Sequence, residues 1–199
     1  MKLILSSNSP RRKELLAGLD IPFEVRVLDG IDESYPADLS SHEVAEYIAQ
    51  KKASAYDVSG DEVLITADTV VVLHQEILGK PADADEAKCM LRKLSGHTHH
   101  VITGVCLKRY DKLHHFSVTS EVTFKTLSEQ EISYYVEHYR PFDKAGAYGI
   151  QEWIGYIGVT GLKGSYFNVM GLPVQRIYEE LMTHFSDSSR EWPINLELK

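Results

Sequence analysis

The stretch VLITADTVVVL, residues 63–73, indicates the centre of the fold. Residues 63–67 form a largely apolar run, as in a buried strand, and residues 69–73 continue in an extended pattern. Asp68 interrupts this run, and a buried carboxylate without a partner is costly. The acid must therefore face a metal ion, a basic group or water at a cleft, unless it only caps a turn at a strand end. We predict a central strand with Asp68 at a cleft.

Helices and strands alternate on both sides of this strand. Ser9 and Pro10 suit the start of a helix that continues over residues 13–19. Ser40 and Glu43 have capping-box spacing and predict a helix through about residue 56. The other predicted elements are strands at 2–5 and 24–28, a helix from Pro81 and Asp83 through Leu94, a hairpin of 99–109 and 114–125, a helix from Ser128 to about His138, and a last helix from Pro173 to about Phe185. Residues 146–171 are Gly-rich and indicate tight turns.

This order predicts the fold class and the domain organisation. Because the hairpin interrupts a purely parallel pattern, we expect an α/β fold with a mixed twisted sheet flanked by helices, and two lobes separated by a deep cleft. We assign residues 1–185 to a single two-lobed domain and residues 186–199 to a polar C-terminal tail.

Composition restricts the partners and the compartment. Twenty-one Lys and Arg against 29 Asp and Glu give a net charge of -8, which argues against nucleic acid and anionic membranes as partners. A phosphate ligand therefore needs a local basic cluster, which suits a small anion. The two cysteines, Cys89 and Cys106, form no paired motif, and no secretory or membrane-spanning segment is recognisable. We expect a cytoplasmic protein.

A candidate phosphate-binding loop, SSNSPRR, occupies residues 6–12 between the first strand and the first helix. Backbone N–H groups at a helix start favour an anion, and serine hydroxyls add donors. Arginine side chains can bind phosphate oxygens in pairs. Ser7, Ser9, Arg11 and Arg12 are therefore candidate ligands, although a capped helix with two solvated arginines would have the same pattern.

Three further charged residues lie near predicted turns: Glu33, Lys52 and Lys80. Each alone is more typical of solvated surface than of a catalytic group. Other phosphate motifs are absent, since Gly79-Lys80 lacks the glycines of a Walker A loop and no GxGxxG follows an early strand.

Together these motifs resemble the Maf family of nucleoside triphosphate pyrophosphatases. The resemblance covers about residues 2–185 and rests on eight segments in the family's order: SSNSPRRKELL, IDES, QKKA, ITADTVV, GKP, LSGHTHHVITGV, DKAGAYGIQ and GSYFNVMGLP. It implies a Maf/ITPase-like fold and hydrolysis of the bond between the α- and β-phosphates. It also implies a divalent metal cofactor, Mg²⁺ or Mn²⁺, and a homodimer.

The resemblance also implies residue roles. Asp68 matches the proton acceptor, and as a carboxylate it is also a candidate metal ligand. The family's charged residues around this acid are matched by Glu33, Lys52 and Lys80. The residues of its phosphate-binding loop are matched by Ser7, Ser9, Arg11 and Arg12. Arg11, Thr69 and Gln151 match the base-specificity set of the branch that acts on dTTP and UTP. Glu152 departs from the family pattern, because glycine is common at that position.

Three alternative functions remain from the sequence, of which one is a structural or interaction module that no exposed repeat or tail supports. Of the other two, the first is the family branch that acts on 7-methyl-GTP. The second is a nucleotide-binding regulator of septum formation that does not depend on turnover. Asp68 together with Lys52 and Lys80 argues against a regulator, which would not need them.

Overall fold

The computed structural model describes residues 2–185, and the predicted tail at 186–199 lies outside the described residues. The strands are β1 (Lys2–Ser6), β2 (Phe23–Val25), β3 (Glu62–Leu73), β4 (Glu76–Leu78), β5 (Thr98–Arg109), β6 (Lys112–Phe124) and β7 (Val159–Lys163). The helices are α1 (Pro10–Ala17), α2 (Val44–Ser54), α3 (Ala84–Leu94), α4 (Glu129–Tyr139), α5 (Trp153–Gly158), α6 (Tyr166–Met170) and α7 (Val174–His184), with a 3₁₀ turn at Ala145–Ala147.

The described strands form one seven-stranded mixed sheet in the order β2-β1-β3-β5-β6-β7, with β4 paired to β3. β1 is parallel to β2 and β3, whereas β3, β5, β6 and β7 are successively antiparallel. Helices flank this sheet, so the predicted fold class is confirmed. The predicted strand around Asp68 is the central β3.

Two separate apolar cores cover the same face of β3. Val63, Ile65 and Ala67 pack in one core with α1 and α7. Val71 and Leu73 pack in the other core with α3 and α4. Side chains on a strand alternate between faces, so Thr69 lies on this face between the two cores. The cleft between the lobes therefore crosses the middle of β3.

An unpaired edge exposes β3 at the same place. The β1 ladder ends at the pair Ser6–Thr66, and the β4 ladder begins at the pair Val71–Leu78. Within residues 2–185, the segment 67–70 thus has a strand neighbour only in β5. Because β1 is parallel to β3, its carboxyl end brings the loop after Ser6 to this gap.

α2 packs on the other face of the sheet, directly against β5. A Cβ atom at Gly104 would lie 2.2 Å from the backbone nitrogen of Glu46, so only glycine allows this approach. The hydroxyl of Thr66 donates to the carbonyl oxygen of Ala49 across 2.6 Å. Gly104 is paired with Asp68, so the two contacts hold α2 beside the acid.

The capping predictions had different outcomes. Ser9, Asp83 and Ser128 are N-caps, and Ser128 forms a full capping box with Glu131. The prediction for Ser40 and Glu43 was wrong, since α2 begins at Val44 and residues 41–43 form a turn. In that turn the nitrogen of Glu43 donates to the carbonyl oxygen of Ser40, while the Ser40 hydroxyl accepts from His42.

Several shorter elements and boundaries were not predicted. The Gly-rich region, for which only tight turns were predicted, contains α5, β7 and α6. These short elements are supported by their packing against the rest of the molecule. The second strand is also shorter than expected, since it ends at Val25. None of the helices within residues 2–185 is both long enough and apolar enough to cross a membrane.

Candidate active site

The cleft between the lobes has a volume of ≈ 720 Å³, including its open mouth. It joins a second cavity of ≈ 830 Å³ that is lined by the loop after β1 and by the loop after β2. Ser9, Arg12, Lys52 and Lys80 line both cavities. The two cavities therefore form one continuous groove over the unpaired edge of β3.

Lys52 joins two carboxylates at the centre of this groove. Its Nζ atom donates to Asp68 Oδ1 across 2.9 Å and lies 3.0 Å from Glu33 Oε1. The side chains of Lys52 and Asp68 are only 14% and 16% exposed, whereas Glu33 is half exposed. The structure thus brings together three of the four predicted catalytic residues, from α2, β3 and the loop after β2.

Lys80, the fourth, lies in the loop that precedes α3. The carbonyl oxygen of Gly79 accepts a hydrogen bond from the nitrogen of Gly146, which ties this loop to the 3₁₀ turn. The ammonium group of Lys80 is exposed to the groove and has no hydrogen bond or ion pair with the described residues. Lys80 is therefore a positive group available to an anionic ligand.

The loop after β1 is organised by its own serines. The Ser7 hydroxyl accepts from the nitrogen of Ser9, and the Ser9 hydroxyl accepts from the nitrogen of Arg12 at the start of α1. Ser7 is buried, whereas Ser9 is partly exposed in the groove. The loop thus presents the N-terminus of α1 to the groove, where the helix dipole favours an anion.

Arg12 is bound mainly by protein groups. Its guanidinium donates to the carbonyl oxygen of Ala67 at 2.7 Å, to that of Gly171 at 2.8 Å and to the Thr69 hydroxyl at 3.0 Å. Burial lowers the pKa of Arg12, while the charge of Asp68 opposes that shift. Arg12 fills the gap at the edge of β3, so it supports the site as well as lining it.

Arg11 belongs to a charged network that the sequence reasoning missed. Its Nη1 atom donates to Asp143 Oδ2 across 2.8 Å. The buried Lys144 binds both Asp143 Oδ1, at 2.8 Å, and Glu152 Oε1, at 3.0 Å. Burial alone would raise the pKa of Asp143, but the hydrogen bonds from Lys144 and Arg11 outweigh it and lower the pKa to about 2. The only sequence signal was the DKAGAYGIQ segment, in which Asp143 and Lys144 had no assigned role.

Glu152 holds the other end of this network. It accepts a hydrogen bond from the phenol of Tyr135, which in turn accepts from the nitrogen of Gly149. Burial and the bond to Glu152 raise the pKa of Tyr135, so the phenol keeps its proton. Glu152, which stands at the position where glycine is common, thus supplies a carboxylate that holds the loop carrying Gln151 in place.

Thr69 and Gln151 both line the cleft. The Thr69 hydroxyl bonds to Arg12 and lies 3.0 Å from the Thr103 hydroxyl, so protein groups already hold it. Gln151 Oε1, in contrast, is a buried acceptor without a hydrogen-bond partner among the described residues. Because an unpaired buried acceptor is costly, this oxygen is suited to a donor on a bound ligand.

The arrangement is suited to a multiply charged anion. Lys52, Lys80 and Arg11 supply positive charge, and two carboxylates lie beside them. Carboxylate oxygens are the protein ligands that Mg²⁺ and similar hard cations prefer. Asp68 and Glu33, which contact the same ammonium group, therefore fit a divalent cation in their donor chemistry.

The chain is similar to known proteins along nearly all of its described length. The family described as Maf-like protein matches residues 2–184. The chain is 58% identical over 186 residues to a dTTP/UTP pyrophosphatase of Parabacteroides distasonis, covering 92% of this chain and 96% of that protein. It is 59% identical over 182 residues to the protein of the same name in Phocaeicola vulgatus, covering 90% and 94%. A solved dITP/XTP pyrophosphatase of Mycobacterium abscessus is similar with a TM-score of 0.47 at 14% identity, covering 90% of this chain and 94% of that one.

Proposed function

Because this chain belongs to the Maf family, we propose that it hydrolyses dTTP and UTP to the nucleoside monophosphate and pyrophosphate. The relatives named dTTP/UTP pyrophosphatase, at 58% and 59% identity, support this substrate class. The structural observation that carries the proposal is the contact of Lys52 with Asp68 and Glu33, in a groove that is also lined by Arg11, Arg12 and Lys80. Such a groove suits a triphosphate whose reactive bond lies beside the acid.

The chemistry follows from these groups. A water molecule attacks the α-phosphorus, the bond between the α- and β-phosphates breaks, and pyrophosphate leaves. Attack on the β-phosphorus breaks the same bond, with the nucleoside monophosphate as the leaving group and the water oxygen in pyrophosphate. Asp68 takes the proton of the attacking water as a general base. Lys52, Lys80 and Arg11 offset the negative charge that grows on the phosphoryl oxygens, in a site that is partly shielded from water.

A divalent cation fits the same carboxylates. Asp68 and Glu33 would hold Mg²⁺ or Mn²⁺, which supplies further charge neutralisation to the triphosphate when bound. Since Lys52 contacts both acids, it keeps them together in the absence of that charge. Asp68 can serve as ligand and as proton acceptor, because a carboxylate has two oxygens.

The base preference rests on Gln151. Uracil and thymine carry an N3–H donor between two carbonyl groups, and an amide can pair with such an edge through its own donor and acceptor. Gln151 Oε1 is buried and has no hydrogen-bond partner among residues 2–185, so binding of this edge would satisfy this acceptor. Because 7-methylguanine also carries an N1–H donor, the choice of a pyrimidine is supported by the relatives named dTTP/UTP pyrophosphatase together with this contact.

The test is a substrate panel with product analysis on the full chain. Purified protein with Mg²⁺ is given dTTP, UTP, CTP, ATP, GTP and 7-methyl-GTP, and the products are separated by chromatography. We expect monophosphate and pyrophosphate in equal amounts from dTTP and UTP, with orthophosphate only after added pyrophosphatase. A chelator should abolish turnover, and Mg²⁺ or Mn²⁺ should restore it.

Other outcomes of this panel would contradict the proposal in different ways. Nucleoside diphosphate and orthophosphate as first products would replace it with cleavage at the γ end. A preference for 7-methyl-GTP would place the chain in the other branch. A nucleotide that binds tightly without being cut would favour the regulator of septum formation.

We further propose that the protein acts in the cytoplasm, with small nucleotides rather than nucleic acid or membrane as partners. The net charge of -8 and the two free cysteines, Cys89 and Cys106, support this.

A further inference from the structure

A second group of metal-ligating side chains lies where the end of α7 meets the start of β6. It consists of His114, Glu180 and His184, whose ligand atoms all lie within 4.8 Å of one another. His114 Nε2 is 2.7 Å from Glu180 Oε2, and His184 Nε2 is 3.2 Å from the same oxygen. The two imidazole rings have their centroids 4.1 Å apart. Three ligand atoms thus converge on one point.

This group is separate from the nucleotide groove. His114 is paired with Leu107, and Leu107 with Ile65, so all three side chains share one face of the sheet. Ile65 and Leu107 belong to the core beneath α7. Asp68 is three residues beyond Ile65 and faces the opposite side, because side chains alternate along a strand.

The geometry points to a zinc site, and we propose that His114, Glu180 and His184 bind Zn²⁺. Two imidazoles and one carboxylate are a zinc ligand set, with the fourth position open to water. In a tetrahedral site with ligand bonds of about 2.0–2.1 Å, neighbouring ligand atoms are about 3.3 Å apart. The observed 2.7 and 3.2 Å are close to this value, and the ligand atoms of the two histidines lie within 4.8 Å of each other, so side-chain rotations can bring all three to it.

The surroundings already orient two of these ligands. Glu180 and His184 are four residues apart on α7, so they lie side by side on one helical face. Arg176 binds the other carboxylate oxygen, Glu180 Oε1, at 2.5 Å, which leaves Oε2 directed at the histidines. Such partners orient metal ligands, although the positive charge of Arg176 also reduces the affinity.

Bound zinc would fasten the last turn of α7 to β6. α7 contributes Val174, Ile177 and Leu181 to the core over β1 and β3. A ligand that binds only the folded chain stabilises it, so zinc should raise the melting temperature. This role does not depend on nucleotide hydrolysis.

Titration calorimetry of the chelator-stripped full chain with ZnCl₂ tests the proposal. We expect one high-affinity equivalent in the wild type and an affinity at least ~10-fold lower in both His114→Ala and His184→Gln. His115→Ala is the matched control, since this neighbouring histidine faces the other side of the sheet and pairs with Glu46 at 2.6 Å. It should keep the wild-type affinity.

A thermal melt of each protein with and without ZnCl₂ gives a second measurement. Zinc should raise the melting temperature of the wild type and of His115→Ala, and leave that of His184→Gln unchanged. Hydrolysis of dTTP with Mg²⁺ should be the same in all of them. Zinc binding that is equal in the wild type and in the double variant His114→Ala/His184→Gln would overturn the proposal, and so would a wild type that binds no zinc.

Discussion

The ammonium group of Lys52 donates to Asp68 Oδ1 across 2.9 Å, which joins the last turn of α2 to the middle of the central strand. Neither side chain is more than 16% exposed. The acid in the apolar strand therefore has the basic partner that its burial requires, and this partner faces the nucleotide groove.

Replacement of Asp68 by asparagine tests its role in turnover. Asp68→Asn keeps the shape but removes the charge, so kcat should fall by ~10²-fold or more, as expected for a lost general base. The melting temperature should change little, because the amide oxygen can still accept from Lys52. Asp111→Asn, in the turn between β5 and β6, is the control and should have wild-type kcat. A folded Asp68→Asn protein with near-normal turnover would exclude the assigned role.

The two arginines of the first loop should separate into a binding role and a supporting role. Arg12→Ala removes three charge-assisted hydrogen bonds, so it should lower the free energy of unfolding by at least about 1.5–3 kcal/mol as well as turnover. Within residues 2–185, Arg11 has a side-chain hydrogen bond only to the exposed Asp143, so Arg11→Ala should raise KM with little loss of stability. Chemical denaturation and steady-state kinetics measure both effects. Equal stability of the two variants would disprove the distinction.

Gln151 should control base preference. Gln151→Ala removes a buried acceptor that has no hydrogen-bond partner in the described part of the chain. It should therefore reduce the ratio of kcat/KM for dTTP over GTP by ~10-fold, the value of one good hydrogen bond. Binding of pyrophosphate, which lacks a base, should stay unchanged and serves as the internal control. An unaltered ratio would show that another group reads the base.

Gly104 should not tolerate a side chain, because the backbone of α2 packs directly against it on β5. Gly104→Ala places a Cβ atom 2.2 Å from the backbone of α2, and overpacking of this kind costs about 1–3 kcal/mol or more. The displaced helix should also lower kcat, since it carries Lys52. Gly79→Ala, where a Cβ would meet nothing within 4 Å, is the control for stability and should change the unfolding free energy by less than about 0.5 kcal/mol. A stable Gly104→Ala protein would contradict the packing described.

His99 should make the fold sensitive to acid. Burial lowers the pKa of His99 to about 4, and its Nε2 atom lies 2.7 Å from the Tyr148 hydroxyl. Between the unfolded value of about 6.5 and the folded value, only the unfolded chain binds this proton. Stability therefore falls as the pH drops through this window, by up to about 3 kcal/mol at pH 4. Above pH 6.5, His99 does not make the free energy of unfolding depend on pH.

Urea denaturation across this pH range measures the effect. His99→Gln should remove most of the slope at some cost in packing, whereas a change at the exposed His138 to glutamine should keep it. An unchanged slope in His99→Gln would assign the acid sensitivity to other groups.

Local sequence patterns predicted the elements that carry the site. The apolar run around Asp68 became β3, and Ser9 with Pro10 began α1, because alternation and capping act within a few residues. The same logic failed at Ser40 and Glu43, where the spacing was right but the chain forms a turn and α2 starts where Val44 and Ala45 are buried. Burial against the sheet, which spacing does not encode, decided that boundary.

The sequence alone thus determined which residues can bind phosphate, accept a proton or hold a metal, since these properties belong to side-chain chemistry. Only the tertiary structure decided how they are used. Arg11 and Asp143 are 132 positions apart, and His114 and Glu180 are 66 apart, so no local pattern relates them. In the tertiary fold, Arg12 occupies the open edge of β3, and Lys80 has no hydrogen bond or ion pair within residues 2–185. Hydrogen-bond partners in a folded chain depend on which backbone and side-chain groups are brought within about 3 Å of each other.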